Sequence, residues 1–205
     1  MNRHPGGEEQ TLHLLEHIEL RRGMNALDLG AGEGETVRLL KSFGLNACGV
    51  DLFPRSSDVQ EGDFLNLKYA SESIDLCISQ CAFFISRDQA KAIAECWRVL
   101  KKGGYLLLSD LDPGNLVEIM ERTGFIILQK EDQTALWRES AVKPSRRFTV
   151  AGRNSPCPCC RNFSENPSPG AFIRVRAPCS CGCGLRDCPS RARSFTNGAS
   201  HGAVL

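Results

Sequence analysis

Apolar positions over residues 1–145 switch between a helical and an extended period, and the switches set the expected elements. Leu12, Leu15 and Ile18 share one face and predict a helix over 8–22, stopped by Gly23. Leu27-Asp-Leu29 is a short apolar run that reads as a strand end. Helical spacing resumes at Val37, Leu39 and Leu40, giving a helix over 36–43 that stops at Gly44. Further strands are expected over 47–51, 73–79, 105–110 and 125–128. Residues 86–102 form the clearest helix, with Ala90, Ile93, Ala94, Trp97 and Leu100 on one face and Ser86 with Gln89 as a capping box. Lys101 and Lys102 suit its C-terminal dipole, and Gly103 supplies the stop. Helices over 115–123 and 132–141 complete the series. Alternation of this kind builds an open, mostly parallel α/β sheet.

The stretch between the first strand and the second helix carries the candidate chemistry. It reads Asp28-Leu-Gly30-Ala31-Gly32-Glu-Gly34-Glu-Thr36. Glycines at every second position let a loop turn sharply and let a ligand press on its backbone. A dinucleotide pyrophosphate prefers G-x-G-x-x-G at a helix start. Here the last of those positions is Glu35, and Glu33 also lies in the loop. Three carboxylates, Asp28, Glu33 and Glu35, repel a pyrophosphate and suit a cationic ligand. S-adenosylmethionine (SAM) carries a sulfonium and an ammonium and no phosphate. Asp51 ends the second strand, 21 residues beyond Gly30. That is the distance at which an acid accepts hydrogen bonds from ribose hydroxyls. It supports an adenosyl ligand without choosing between SAM and NAD.

Leu27-Asp-Leu-Gly-Ala-Gly-Glu-Gly34 resembles motif I of class I SAM-dependent methyltransferases of the small type 11 kind. A second match lies in register further along: Trp97-Arg-Val-Leu-Lys-Lys-Gly-Gly-Tyr-Leu-Leu-Leu-Ser-Asp110 resembles that family's segment around its fifth strand. The resemblance covers residues 5–142. It implies a Rossmann-like, doubly wound sheet, with Asp28 holding the methionine amino end and Gly30, Ala31 and Gly32 passing under the cofactor. It also implies Asp51 and Leu52 at the ribose, Asp63 and Phe64 at the adenine, and Ser79 bordering the methyl group. The implied activity is methyl transfer to a small-molecule acceptor. Gln80 and Cys81 should border the acceptor as well, but the Asn/Asp-Pro-Pro-aromatic signature of DNA and glutamine methyltransferases is missing there. Ile78-Ser-Gln-Cys81 is similar to a stretch of arsenite methyltransferases, whose other cysteines have no counterpart here. No general base is legible, because His13 and His17 share a helix face away from the strand ends and have no third metal ligand in a recognised motif.

Composition divides the chain. Residues 1–150 hold 18 Lys and Arg against 22 Asp and Glu, a balance of −4, whereas residues 151–205 hold seven Arg against two acids, a balance of +5. A mildly acidic body does not present a nucleic-acid footprint. No apolar run reaches membrane-spanning length, and Leu12–Leu20 is too interrupted for a signal peptide, so a cytoplasmic location is expected. Cys48, Cys77, Cys81 and Cys96 are irregularly spaced and read as small core residues. The expected division is a methyltransferase domain over 1–145 and a Cys/Pro/Arg-rich tail over 146–205, disordered or metal-binding. The tail holds Cys157, Cys159, Cys160, Cys179, Cys181, Cys183 and Cys188, enough thiols for a zinc ion. Gly152–Cys159 is similar to the start of the SEC-C zinc motif, but the later half of that motif is absent. Six strands are clear, counting a third between residues 51 and 73 that makes 73–79 the fourth. A seventh has two short candidates, 147–151 and 172–175, and neither has a decisive pattern. Oligomeric state is not legible. The other readings that remain are a non-catalytic SAM-binding protein with a zinc-binding tail, a metalloid (arsenite-type) methyltransferase, and a NAD-dependent oxidoreductase, which the loop acids disfavour.

Overall fold

The computed structural model describes residues 4–16, 18–86, 88–112, 115–142 and 170–177. The chain folds as α1 (Gly7–Leu15), β1 (Asn25–Leu29), α2 (Glu35–Ser42), β2 (Asn46–Asp51), β3 (Val59–Glu61), β4 (Ile74–Gln80), α3 (Phe83–Ser86), α4 (Gln89–Val99), β5 (Leu100–Leu111), α5 (Leu116–Thr123), β6 (Ile126–Asp132), α6 (Thr134–Val142) and β7 (Gly170–Arg176). Seven strands form one sheet in the order β3-β2-β1-β4-β5-β7-β6. The first five are parallel, and β7 runs antiparallel between β5 and β6. The strand order reverses between β1 and β4, and in an open sheet the ligand crevice lies at the carboxyl ends beside such a reversal.

The central strands are apolar on both faces because each face is covered, whereas the edge strands β3 and β6 carry polar, exposed positions. Ala26, Ala47, Leu76, Ile78 and Leu107 pack with Leu14, Leu15, Val37 and Leu40 of α1 and α2. Their neighbours in sequence, Leu27, Leu29, Cys77, Leu106 and Leu108, pack on the opposite face with Ile93, Cys96, Leu116 and Met120 of α4 and α5. The parity of these positions decides which side chains reach which side of the crevice. Asp28 and Gln80 follow the α1/α2 face, and Asp110 follows the α4/α5 face.

Several expected boundaries move. The first helix ends at Leu15, well short of residue 22, and its partner in the proposed histidine pair, His17, lies outside the described residues. The capping box is not formed. Asp88 is the N-cap of α4 and accepts from Lys91 N–H at 3.0 Å, while Gln89 Nε2 reaches across to the Leu111 carbonyl. Ser86 instead closes α3, its hydroxyl donating to the Phe83 carbonyl. Lys101 and Lys102 belong to β5 and cap no helix; Lys101 pairs with Asp75 at 2.8 Å. The crossover from β2 to β3 is residues 52–58 and contains no helix, so it lies close against the loop after β1.

The seventh strand is the larger finding. Of the two candidates, 172–175 lies within β7, and 147–151 lies outside the described residues. Ile173 and Val175 are completely buried in the α4/α5-side core. Seven residues of the segment set apart as a tail therefore complete the sheet, and the tail cysteines lie outside the described residues. Sequence periodicity is weak over a seven-residue strand, and it sits in a stretch whose composition resembles a linker. A protein ending at residue 145 would leave β5 and β6 with no strand between them. Its thermal melt, followed by circular dichroism, is expected to lose cooperativity. In the full chain, Ile173→Ala is expected to cost roughly 2–5 kcal/mol by chemical denaturation.

Candidate active site

Two strand ends and their loops make the floor of the crevice. The loop after β1 leaves the sheet through Gly30, whose N–H donates to the Val50 carbonyl at 2.8 Å. Gly30 has φ +79°, and a Cβ placed on it would overlap the Cβ of Ala82, just past β4. This position thus requires glycine on two counts, backbone conformation and close approach. The loop ends at Gly34, the N-cap of α2. The next constraint is a single hydrogen bond between neighbouring strand ends: Gly32 N–H donates to Asp51 Oδ2 at 2.8 Å. Asp51 Oδ1 accepts from Phe53 N–H at 2.8 Å. An ionised carboxylate offers about four acceptor positions. With two occupied, Asp51 keeps capacity for the paired hydroxyls of a ribose, so the residues present fit an adenosyl ligand.

Asp28 stands on β1 under this loop and is only 4% exposed. Burial pushes its carboxyl up to about 7, and the charge of Asp51 adds to the shift. A carboxylate poised near neutrality and next to a second acid favours a cation arriving from solvent. Leu52 is 53% exposed and Phe53 is 78% exposed beside Asp51, an apolar edge at the ribose side. Asp63 is exposed, and one of its oxygens accepts from Leu65 N–H at 2.8 Å, which closes a turn at residues 63–66. The Phe64 ring is half-buried and packs on Phe83 with centroids 5.1 Å apart, so its face is engaged with the core. Ser79 is completely enclosed, and its hydroxyl donates to the Leu29 carbonyl at 2.9 Å. It braces the ends of β1 and β4, and what it offers the crevice is backbone.

Beyond β4 the chain turns at Cys81, a non-glycine residue with φ +57°. Such a left-handed residue costs on the order of 1–3 kcal/mol and persists only where its surroundings hold it. Here Cys81 N–H donates to the Ser109 carbonyl at 2.9 Å, and Asp110 secures the start of α3 just beyond. Asp110 is completely buried at the end of β5 and accepts from Phe83 N–H at 2.8 Å, Phe84 N–H at 3.2 Å and Leu111 N–H at 2.8 Å. Burial raises its carboxyl to about 7, against the lowering effect of those three N–H groups. Asp110 therefore pins α3 over the crevice.

The wall on the α1/α2 side joins Gln80, which the sequence reading sets at the acceptor, to His4 and Thr11, which no sequence motif marks. Gln80 ends β4 and is 9% exposed. Its Oε1 accepts from the Thr11 hydroxyl at 3.1 Å and the Thr36 hydroxyl at 3.3 Å, which turns its amide nitrogen toward His4 Nδ1 at 3.3 Å. The segment before α1 is thus tied to the strand end. Burial lowers the His4 pKa, opposed by the Pro5 carbonyl and the Glu35 charge. The one sequence signal for this wall was the polarity of Gln80 inside an apolar strand. His13 is engaged elsewhere, at 2.9 Å from both Glu16 and Glu131, and its pKa is raised by the Glu131 hydrogen bond first. Among the described residues there is no group of three or more metal-ligating side chains, and no helix is long and apolar enough to cross a membrane. Cys77 and Cys96 are buried and Cys48 and Cys81 half-buried.

Comparison with known proteins agrees with this fold. Residues 27–108 match a family model described as a methyltransferase domain. A malonyl-[acyl-carrier protein] O-methyltransferase of Coxiella burnetii is 35% identical over 116 residues, which cover 52% of this chain and 41% of that protein. The chain spans about half the length of the curated relatives it matches. Among solved structures, the Haemonchus contortus phosphoethanolamine N-methyltransferase 2 bound to S-adenosyl-L-methionine superposes with a TM-score of 0.66 at 19% identity, covering 85% of this chain and 54% of that one. A protein described as the [4+2]-cyclase SpnF gives a TM-score of 0.66 at 20% identity, covering 83% of this chain and 80% of that one. At such identities the likeness is one of fold, which is the Rossmann-like methyltransferase fold.

The raised Asp28 pKa has a consequence for stability. Between pH 4 and 7 the folded protein holds a proton that the unfolded chain, with an ordinary carboxyl at 3.8, has lost. Asp28 therefore makes stability fall as pH rises through that window, levelling off above 7, by up to roughly 1.4 kcal/mol per pH unit. Asp28→Asn is expected to gain on the wild type over the same window, measured by urea unfolding at pH 5 and pH 7.5.

Proposed function

We propose that this chain, whose residues 27–108 match the methyltransferase-domain model, is a SAM-dependent methyltransferase acting on a small-molecule acceptor. One observation carries the reading. Asp28, the glycine loop and Asp51 converge at the strand-order reversal, with Gly32 N–H bonded to Asp51. When bound, SAM supplies an activated methyl group, because the sulfonium takes the electron pair of the breaking carbon–sulfur bond. Asp51 holds the ribose and, with Leu52 beside it, fixes the lateral position of the cofactor. Gly30, Ala31 and Gly32 give the backbone surface on which it rests. Asp28, in its ionised form, receives the ammonium end directly or through water. Asp63 and the Phe64 N–H would take the adenine edge, and the backbone at Ser79 would border the reacting methyl. The chain's contribution is alignment and exclusion of water, which by itself accounts for large rate effects.

The acceptor is the open half of the site. Relatives named for malonyl-[acyl-carrier protein] match over the cofactor half, and a carboxylate acceptor of that kind would need no base. A thioester-linked carboxylate therefore belongs in the acceptor screen beside free small molecules. The neighbour described as a cyclase has the same fold, so a non-catalytic or non-transferring use of the site is the second reading. The acids of the loop, Glu33 and Glu35, stand against a NAD-dependent oxidoreductase.

Calorimetric titration with SAM, and with NADH alongside, tests the reading. SAM is expected to bind at micromolar affinity, and Asp51→Ala to abolish binding; binding of NADH alone would overturn it. Because the ionised form of Asp28 is the one that receives a cation, SAM affinity should fall about tenfold per pH unit below 7 and flatten above it. Asp28→Asn should bind SAM weakly and without that dependence. We also place the protein in the reducing cytoplasm, where the tail thiols could hold a zinc ion. Elemental analysis of the purified chain would show about one zinc per chain if they do, and none if the cysteines are incidental.

A further inference from the structure

The crossover from β2 to β3 lies on the glycine loop. Arg55 N–H donates to the Gly32 carbonyl at 3.0 Å, and Val59 N–H closes back on the Ser56 carbonyl at 3.1 Å. Ser56 Oγ and the Cβ of Asp58 crowd Gly34 from the same side. This short strap draws the Arg55 side chain across the crevice. A Cβ on Gly32 would stand 2.7 Å from Arg55 Nη2, 3.8 Å from its Cζ and 4.0 Å from Asp51 Oδ2. The space that Gly32 leaves by lacking a side chain is therefore filled by a guanidinium, with the ribose-side carboxylate at its edge.

Charge explains the placement. Asp28, Glu33, Glu35 and Asp51 make this end of the sheet acidic, and a guanidinium keeps its charge at every pH the protein meets. Arg55 is exposed, and its side chain makes no hydrogen bond or ion pair among the described residues. It is held by the general field and the short strap, so moving it costs little. A ribose bonded to Asp51 needs the same volume against Gly32, and a cationic sulfonium would be repelled by a neighbouring guanidinium.

We propose that Arg55 is a built-in competitor of the cofactor: it fills the ribose side of the glycine loop in the free protein and must swing aside before an adenosyl ligand can bond to Asp51. The inference rests on the SAM reading above. Titration of SAM and of its thioether product S-adenosylhomocysteine into the wild type, Arg55→Ala, Arg55→Lys and the loop control Ser57→Ala tests it. Arg55→Ala should bind both ligands tighter by roughly three- to fivefold, the scale of one exposed charge contact. Arg55→Lys should fall between the two, Ser57→Ala should match the wild type, and ligand-free melting temperatures should be unchanged. The Arg55 Nε–H signal, assigned by its loss in Arg55→Lys, should shift when S-adenosylhomocysteine is added to the wild type. Weaker binding by Arg55→Ala would mean that Arg55 holds the ligand, and unchanged binding would mean that it stands clear; either overturns the inference and leaves the cofactor reading intact. If neither the wild type nor Arg55→Ala binds SAM or S-adenosylhomocysteine, the cofactor reading itself falls, and this inference with it.

Discussion

The bond from Gly32 N–H to the Asp51 carboxylate is the constraint on which the site depends. It joins the loop after one strand to the end of its neighbour, so the two can move only together. On the other side, Gly30 lies so close to Ala82 that the loops after β1 and β4 are in contact. The crevice is thus framed by three strand ends that meet through glycine backbone, with the Asp51 carboxylate as one tie and the close approach to Ala82 as the other. That explains why the glycines cannot be exchanged for small residues of similar polarity. The requirement is for absent volume and left-handed conformation at once.

Acidity is the second theme. Among the described residues three carboxylates are buried; Asp112 pairs with Lys130, and the structure handles the other two differently. Asp110 is enclosed but accepts three backbone N–H groups, so it works as a structural pin for α3. Asp28 is as deeply placed and is destabilised further by Asp51. One is satisfied by backbone N–H groups of the fold itself; the other is left with the charge of Asp51 beside it. Residues alike in type and burial are separated in role by what they touch.

Much of the site was legible because spacing carries it. The glycine loop, Asp28 and Asp51 are fixed by the strand–loop–helix order, and the structure brings them together as that order implies. Asp63 and Phe64 follow β3 in a turn, and the Phe64 ring is turned to Phe83. Other parts were not legible, for physical reasons. Ser86 with Gln89 has the letters of a capping box, but Asp88 is closer to the helix start and is the stronger acceptor. The run 97–104 reads as one helix end, yet β5 begins at Leu100, where pairing with Ile74 outweighs local propensity. Gln80 was named from the sequence, but its ties to Thr11 and His4, and the contact of Arg55 with the glycine loop, join segments far apart in the chain, and no local pattern records those. β7 was hidden because seven residues rarely show a decisive period, and composition argued against structure there.

The position of β7 also bears on how the protein is made. Strands β5 and β6 are separated by a strand that comes after both in the chain, with residues 143–169 intervening. During synthesis the ribosome therefore releases most of the sheet while the slot between β5 and β6 is still empty. The apolar faces of Leu106, Leu108 and Ile127, and the unpaired edges of both strands, must wait for Ile173 and Val175 to emerge. Exposed edges of this kind are where nascent chains associate wrongly. The nascent chain is thus most vulnerable in the interval between emergence of β6 and arrival of β7, when a chaperone would have most to protect.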